Sequence, residues 1–153
     1  MKIWLLRHGE AEPRARTDAQ RCLTEVGRNE VRRSAAHLVG RPLQTILASP
    51  YVRAQQTAEL VREVLGFGGM VETVPWMTPD SDIDDAMLYL SRRSESDLLL
   101  VTHQPFVGAL GGWLVSGQRS DALPMATASL AELEGEGVAA GLMHLRSLRH
   151  SNK

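Results

Sequence analysis

The chain has 153 residues, of which 43% are hydrophobic and 23% are charged, and this composition is typical of one globular domain with a sizeable core. Its 17 Lys and Arg against 18 Asp and Glu give a net charge of −1, so we expect neither nucleic acid nor a membrane as a partner. A single cysteine excludes an intrachain disulfide, and without a signal peptide or a membrane-length apolar run we expect a cytoplasmic protein.

The first apolar run stops abruptly at charged residues. Residues 3–6 have no polar interruption, which is typical of a strand buried on both faces. Arg7, His8 and Gly9 follow directly. Because an unpaired buried arginine is costly, Arg7 must reach an anion, a carboxylate or water. By themselves these residues fit two interpretations equally well, a strand tip that presents a cation and an imidazole to an anion, or a strand end with solvated polar side chains.

Strands and helices alternate along the rest of the chain. In order, the sequence predicts a strand at 3–6, a loop at 11–22, a helix at 24–40, a strand at 45–48, a helix at 49–65, a strand at 71–74, a helix at 80–92, a strand at 97–102, a helix at 106–115 and strands at 126–133 and 138–148. This order predicts an α/β three-layer sandwich with a mostly parallel central sheet, an antiparallel edge and helices on both faces. Residues 1–153 are predicted to form a single domain.

Several side chains are assigned places within these elements. Val26 and Val39 are among the apolar residues predicted on the inner face of the first helix. Ser49 is predicted to cap the second helix and Pro50 to occupy its first position, because these residue types favour those positions. The seven arginines in residues 7–33 suit a local anionic substrate, although those within the first helix are better explained as a solvated face.

Charged and imidazole side chains follow three of the predicted strands. Arg7 and His8 follow the first, Arg53 lies in the first turn of the helix after the second, and His103 follows the strand at 97–102. Ligands of parallel α/β sheets bind beyond the carboxyl ends of the strands, so these four residues are expected at one edge. Two guanidiniums, two imidazoles and a helix N-terminus together predict an anion site suited to phosphoryl transfer through a histidine nucleophile.

Four motifs follow one another along the chain. They are Leu6-Arg7-His8-Gly9-Glu10, Leu23-Thr24-Glu25-Val26-Gly27, the stretch from Ser49-Pro50-Tyr51-Val52-Arg53 to Ala58, and Val101-Thr102-His103. In content and order they resemble the signature of the histidine phosphatase superfamily, the phosphoglycerate-mutase-like enzymes. The short chain and the sequences from Arg53 to Thr57 and from His103 to Pro105 look most like the SixA-type phosphohistidine phosphatases.

This resemblance implies a role for each matching residue. His8 would be the nucleophile that becomes phosphorylated, and Arg7, Arg53 and His103 would form the phosphate pocket and complete the catalytic set. Family members keep the nucleophilic histidine neutral and oriented by a backbone carbonyl. Arg21 would match an arginine that contacts the substrate in the SixA group.

One feature of the larger family members is missing here. Phosphomonoesterases and mutases of the family place an acidic residue after the third strand, to protonate an alkoxide leaving group. Residues 75–79 contain no acid, although Asp80 and Asp82 lie nearby and could substitute. A phosphohistidine needs little such help, because a protonated imidazole is a good leaving group.

The resemblance and the missing acid together lead to one main hypothesis. The chain is expected to be a phosphatase that needs neither metal nor cofactor, with a phosphohistidine-bearing protein, such as a phosphotransfer domain of a signalling relay, as its substrate. We expect it to act as a monomer. Two alternatives stay open: a small-molecule phosphomonoesterase that uses Asp80 or Asp82 as acid, and a non-catalytic module that binds phosphoproteins.

Overall fold

The computed structural model describes residues 1–151 and has a six-stranded sheet at its centre. The elements in chain order are β1 (Lys2–Arg7), α1 (Glu25–Ala35), β2 (Thr45–Ala48), α2 (Val52–Leu65), β3 (Val71–Thr73), α3 (Ile83–Ser91), β4 (Asp97–Thr102), α4 (Phe106–Ser116), β5 (Leu130–Glu134) and β6 (His144–Arg149). The strand order is β3-β2-β4-β1-β5-β6, in which the first four strands are parallel and β5 and β6 form the antiparallel edge. Short 3-10 turns occur at Asp18–Gln20 and Ala36–Leu38. The last two residues of the predicted 1–153 domain lie outside the described residues.

Helices cover both faces of the sheet, as the sequence predicted. Alternate residues of β1 point to opposite faces. Ile3 and Leu5 pack with apolar residues of α3 and α4, whereas Trp4 and Leu6 pack with those of α1 and α2. Both sets are buried, so the uninterrupted apolar run of β1 belongs to a strand covered on both sides. The three-layer α/β sandwich with a mostly parallel sheet is therefore confirmed.

The register of the central strands determines which side chains meet at the edge of the sheet. In the β1–β4 pair Arg7 lies opposite Thr102, and the His8 N–H donates to the Thr102 carbonyl at 3.0 Å. His8 and His103 therefore leave adjacent strands at the same level. In the β2–β4 pair, the Ser49 N–H donates to the Val101 carbonyl at 3.0 Å, which brings the end of β2 to the same place.

The predicted start of the second helix is wrong. Helix α2 begins at Val52, two residues beyond Pro50, and Tyr51 is its N-cap. Ser49 follows β2 directly, is completely buried and turns its hydroxyl toward His103 instead of capping the helix. The local sequence favours a helix start here, but the Ser49 side chain makes a tertiary hydrogen bond with His103 instead.

The predicted inner face of the first helix is also partly wrong. Thr24 caps α1, since its hydroxyl accepts the Gly27 N–H at 2.9 Å. The buried positions then run from Gly27 through Glu30 and Val31 to Ser34 and Ala35, which leaves Val26 57% exposed. The helical turns end before Val39, which is extended and 60% exposed.

Three other predicted boundaries move. The strand predicted at 126–133 begins only at Leu130, because Ala128 has a positive φ of 54° in a preceding turn. The strand predicted at 138–148 begins at His144 after a loop. Helix α3 begins at Ile83 rather than Asp80, with the Asp82 carboxylate accepting the Asp84 N–H as its cap. Within residues 1–151, none of the helices has the length and apolar character needed to cross a membrane.

Candidate active site

His8 lies at the end of β1 with its two ring nitrogens in different environments. Nδ1 is 2.7 Å from the Gly9 carbonyl oxygen, which can only accept, so the Nδ1 atom carries the proton. Nε2 then has a free lone pair, and it accepts the Arg53 Nε–H at 3.3 Å. Burial, together with the charges of Arg53, Arg7 and Arg21, lowers the His8 pKa to about 4 against the raising effect of the Gly9 bond. The ring is therefore neutral at physiological pH.

Close backbone packing fixes the turn that follows His8. The Gly9 N–H donates to the Thr57 hydroxyl at 3.3 Å. A Cβ on Gly9 would lie 2.5 Å from the Gly27 carbonyl oxygen, and a Cβ on Gly27 would lie 2.0 Å from the Glu10 carbonyl oxygen. Both contacts involve backbone, which cannot rotate away, so the turn and the start of α1 require glycine at both positions.

Arg53 connects His8 with an acidic residue in the loop after β1. Its guanidinium is almost completely buried at the start of α2 and donates to the Asp18 carbonyl at 2.6 Å and to the Asp18 carboxylate at 3.1 Å. The other carboxylate oxygen of Asp18 accepts from Arg21 at 2.9 Å. These bonds, first that of Arg21 and then that of Arg53, lower the pKa of Asp18, so its carboxylate stays ionised.

His103 faces His8 from the end of β4. The two ring centroids are 5.1 Å apart, and the ring of Tyr51 lies 4.9 Å from that of His103. His103 Nε2 is 2.6 Å from the Ser49 hydroxyl. Burial lowers the pKa of His103 to about 3, and the neighbouring His8 and Arg53 act in the same direction.

Contacts with Met125 and Glu30 hold Arg7 in place beside His8 and Arg53. One of its terminal nitrogens donates to the Met125 carbonyl at 3.0 Å, and the buried Glu30 carboxylate offsets part of its charge. Glu30 in turn accepts the Glu10 N–H at 2.8 Å and the Thr127 hydroxyl at 3.0 Å. Desolvation by burial lowers the Arg7 pKa, yet an arginine keeps its charge at any physiological pH.

Two buried nitrogens of the site have no hydrogen-bond partner within the described chain. The three buried side-chain nitrogens of residues 1–151 that make no hydrogen bond are Trp4 Nε1, Arg7 Nε and His103 Nδ1. Such orphaned atoms are uncommon in proteins and call for an explanation. Two of the three belong to residues that the sequence predicted as phosphate ligands.

The structure brings together the four residues Arg7, His8, Arg53 and His103, each from the element that the sequence predicted for it. Arg21 lies one step further out, linked to Arg53 through Asp18. Asp80 and Asp82, the two candidate general acids, make no hydrogen bond or ion pair with the pocket residues within the described chain. Both side chains are exposed, and Asp82 is the N-cap of α3.

Sequence reasoning missed three residues that contact the site, namely Asp18, Glu30 and Ser49. Ser49 stands within the third motif, so its partnership with His103 could have been suspected. Asp18 belongs to a loop with no periodicity, and Glu30 has the spacing of an ordinary helix residue. Only the folded path of the chain reveals their contacts.

The rim of the pocket is an open basic surface. A groove of about 390 Å³ lies there, lined by residues 13–18, which include Asp18, and by Arg21. Arg14 and Arg16 are exposed there. Residues 1–151 contain no cluster of three or more His, Cys, Asp or Glu side chains arranged to hold a metal ion.

A pocket with two arginines and two neutral histidines at the ends of parallel strands is suited to phosphoryl transfer, and comparison with known proteins points to the same class of protein. Residues 3–76 match the family model described as histidine phosphatase superfamily (branch 1). The chain is 34% identical over 134 residues to phosphohistidine phosphatase SixA of Escherichia coli strain K12, an alignment that covers 84% of this chain and 81% of that protein. The chain belongs to the histidine phosphatase superfamily.

Two further comparisons also match SixA proteins. The SixA homolog of Haemophilus influenzae is 32% identical over 149 residues, with 90% of each chain covered. The structure of the protein histidine phosphatase SixA complexed with tungstate superimposes with a TM-score of 0.89 at 28% identity, covering 99% of this chain and 98% of the other. The similarity therefore extends beyond the four motifs to the whole described fold.

Proposed function

We propose that this protein is a phosphohistidine phosphatase, that residues 1–153 act as one catalytic domain, and that His8 forms a covalent phosphohistidine intermediate. The observation that carries the proposal is the state of the His8 ring. A nucleophilic nitrogen must be unprotonated and directed at the reacting atom. His8 Nε2 is the unprotonated nitrogen, and it is turned toward Arg53 rather than toward a backbone group.

Fixed cations around His8 Nε2 suit a phosphoryl group. Arg7 and Arg53 would bind its non-bridging oxygens, with His103 Nδ1 as a neutral donor beside them. The transition state of phosphoryl transfer spreads negative charge over these oxygens, so preorganised donors stabilise it. The unpartnered Arg7 Nε and His103 Nδ1 support this assignment, because a bound phosphoryl group would satisfy them.

The transfer from phosphohistidine to His8 exchanges one nitrogen–phosphorus bond for another. His8 Nε2 attacks phosphorus with its lone pair, and the bond to the substrate imidazole breaks with its electron pair on the leaving nitrogen. If the substrate ring carries a proton on its other nitrogen, it leaves as neutral imidazole and no general acid is required. The new positive charge on the His8 ring is stabilised by the Gly9 carbonyl, which accepts the Nδ1–H.

Hydrolysis completes the cycle. Water attacks the phosphorus of phosphorylated His8, the phosphorus–Nε2 bond breaks, and its electron pair returns to Nε2. The attacking water loses its proton to the released phosphate or to solvent. None of these steps requires a cofactor, and the arginines would repel a metal cation, so we propose a reaction independent of metals.

The surroundings of the pocket favour a protein as the carrier of the phosphohistidine. The exposed rim with Arg14 and Arg16 can accept a large acidic partner, such as a phosphotransfer domain of a signalling relay. All four pocket residues come from one chain. We therefore propose that a monomer is active, and that it acts in the cytoplasm, where signalling relays of this kind operate.

Trapping of the phosphoenzyme tests this proposal. The purified protein is mixed with a phosphotransfer domain carrying ³²P on histidine, with EDTA present, and quenched with alkali, which preserves phosphohistidine. Label should pass to the protein and then appear as inorganic phosphate. In His8→Ala both signals should vanish, whereas His144→Ala, which changes an exposed histidine of β6, should behave as the original protein.

Other outcomes would identify a different function. Full turnover in His8→Ala would overturn the nucleophile. Tight binding without label transfer would indicate the non-catalytic module. High turnover of a metabolite ester that is lost in Asp80→Asn or Asp82→Asn would indicate the phosphomonoesterase.

A further inference from the structure

The pocket contains an anion of its own, at the place where a negatively charged substrate is expected. Asp18 contributes one carboxylate oxygen to Arg53 and the other to Arg21, and its side chain is 56% exposed. A carboxylate here weakens the attraction of the arginines for phosphate, which a site that only binds phosphate would avoid. Its presence therefore calls for a chemical reason.

The Asp18 carboxylate lies close to the nucleophile, because both bind the guanidinium of Arg53. The Nε atom of Arg53 donates to His8 Nε2 at 3.3 Å, while a terminal nitrogen of the same planar group donates to Asp18 at 3.1 Å. Asp18 and the nucleophilic nitrogen thus bind different nitrogens of one guanidinium. In-line attack by His8 on a phosphoryl group held by Arg53 would direct the leaving group away from His8, toward the open side of the pocket, where the exposed Asp18 lies.

We propose that Asp18 selects nitrogen–phosphorus substrates by stabilising the protonated imidazolium ring of phosphohistidine during transfer to His8. The inference rests on the proposed function and names the residue that determines its specificity. An imidazolium leaving group is a cation that becomes neutral as its bond to phosphorus breaks. A carboxylate at the rim attracts this ring and keeps it protonated, which is its reactive form.

The same carboxylate disfavours phosphate esters. An alkoxide leaving group develops negative charge and needs a proton, and the Asp18 carboxylate, held ionised by two arginines, has no proton to give. Its charge also repels a phosphomonoester dianion. One residue therefore acts in opposite directions on the two substrate classes.

A substitution of Asp18 tests whether this residue determines the substrate preference or only orients the Arg53 side chain. Asp18→Asn keeps the size and one oxygen but removes the charge. We expect kcat/KM for free phosphohistidine to fall about tenfold, which corresponds to the loss of about 1.4 kcal/mol, and kcat/KM for phenyl phosphate to stay unchanged or rise. The matched control is Glu12→Gln, which removes an exposed carboxylate from the same loop and should leave both values unchanged.

The pH profile gives a second readout. The charged or titratable groups that face this part of the pocket are Asp18, Arg21, Arg53, Arg7, His8 and His103, together with Arg14 and Arg16 of the rim and Tyr51 beside His103. The arginines stay charged and both histidines are neutral above pH 5, so the alkaline limb of kcat, which reports the enzyme–substrate complex, follows deprotonation of the bound substrate ring. An anion raises the pKa of a nearby cation, so Asp18→Asn should move this limb to lower pH, by about one unit.

The results distinguish three cases. A parallel loss with both substrates and an unmoved alkaline limb would show that Asp18 only positions Arg53, and it would overturn the proposal. Unchanged phosphohistidine turnover in Asp18→Asn would overturn it as well. If the unaltered protein itself fails to cleave phosphohistidine but cleaves phenyl phosphate, then the proposed function fails, and this is seen before any variant is made.

Discussion

The Ser49 hydroxyl lies 2.6 Å from His103 Nε2, and this contact joins the ends of β2 and β4. Ser49 also accepts the Tyr51 N–H at 3.2 Å. Within residues 1–151, the hydrogen bonds offer the buried hydroxyl proton one acceptor, which is His103 Nε2. Because buried hydroxyls are nearly always satisfied, Ser49 donates to Nε2 and the His103 proton resides on Nδ1. Ser49 thereby sets the tautomer that makes Nδ1 a donor.

Replacement of Ser49 should weaken the phosphate pocket without unfolding it. In Ser49→Ala the His103 ring is free to place its proton on Nε2, and Nδ1 then ceases to be a donor. We expect kcat/KM to fall about tenfold, the usual cost of one hydrogen bond to a charged group, roughly 1.5 kcal/mol. ¹⁵N NMR of the histidine rings should show the change of tautomer in His103.

A second serine–histidine pair in the chain provides the control. The Ser129 hydroxyl lies 2.6 Å from His150 Nδ1, whereas the contact of Ser129 with Arg7 is made by its backbone carbonyl, which Ser129→Ala keeps. Ser129→Ala should leave kcat/KM and the His103 signals unchanged. An unaltered His103 tautomer in Ser49→Ala would refute the role given to Ser49.

The pH dependence of the reaction should follow the low pKa of His8. A histidine attacks only when neutral, so activity is lost as pH falls through its folded pKa, which is about 4 rather than the usual 6.5. We expect His8 to titrate near pH 4 by NMR, and kcat/KM to show no loss from His8 protonation between pH 7 and pH 5. Arg53→Gln removes a nearby positive charge and should raise the His8 pKa.

Arg146 offers a comparison for the effect of Arg53. Its guanidinium is exposed on β6 and pairs with Glu134. Arg146→Gln should leave the His8 titration unchanged. A His8 pKa near 6.5 in the unaltered protein would contradict the arrangement of charges described above.

The same two histidines make stability depend on pH. In the unfolded chain each has a pKa of about 6.5, whereas folding lowers the pKa to about 4 for His8 and about 3 for His103. The unfolded state therefore binds more protons below pH 6.5, and the free energy of unfolding decreases as pH falls. Between pH 6.5 and pH 5 the loss should be about 1.5 kcal/mol for each histidine. Urea unfolding at several pH values measures it, and His103→Gln should make the slope shallower.

The sequence alone locates the reactive groups of this site better than the groups that tune them. Arg7, His8 and His103 could be predicted because parallel strands bring their carboxyl ends to one edge, whatever the side-chain details. Asp18 could not, since its contact with Arg53 depends on the path of an irregular loop. Ser49 could not be predicted either, because its local pattern predicts a helix cap, whereas its actual partner is His103, which follows β4 and is 54 residues away in the chain.

Glu30 should stabilise the loop that carries His8. Its buried carboxylate accepts from the Glu10 N–H and from the Thr127 hydroxyl and lies near Arg7. A glutamine has one acceptor oxygen, so Glu30→Gln leaves one of these donors facing an NH₂ group. We expect a loss of about 1–3 kcal/mol in the free energy of unfolding, or roughly 2–10 °C in Tm. Glu25→Gln, an exposed change on the same helix, should have little effect on Tm in calorimetry.

The contact between Gly27 and the turn after His8 should be the least tolerant of change. In Gly27→Ala the new methyl carbon would lie 2.0 Å from the Glu10 carbonyl oxygen, so α1 and the turn must move apart. Gly9 moves with the turn, and its carbonyl holds the His8 Nδ1 proton. We therefore expect a loss of more than about 2 kcal/mol in stability and a fall in kcat/KM larger than that in Ser49→Ala or Asp18→Asn. Gly68→Ala, where a Cβ meets open space, should match the unaltered protein in both urea unfolding and turnover. Normal turnover in Gly27→Ala would mean that the position of His8 does not depend on this packing.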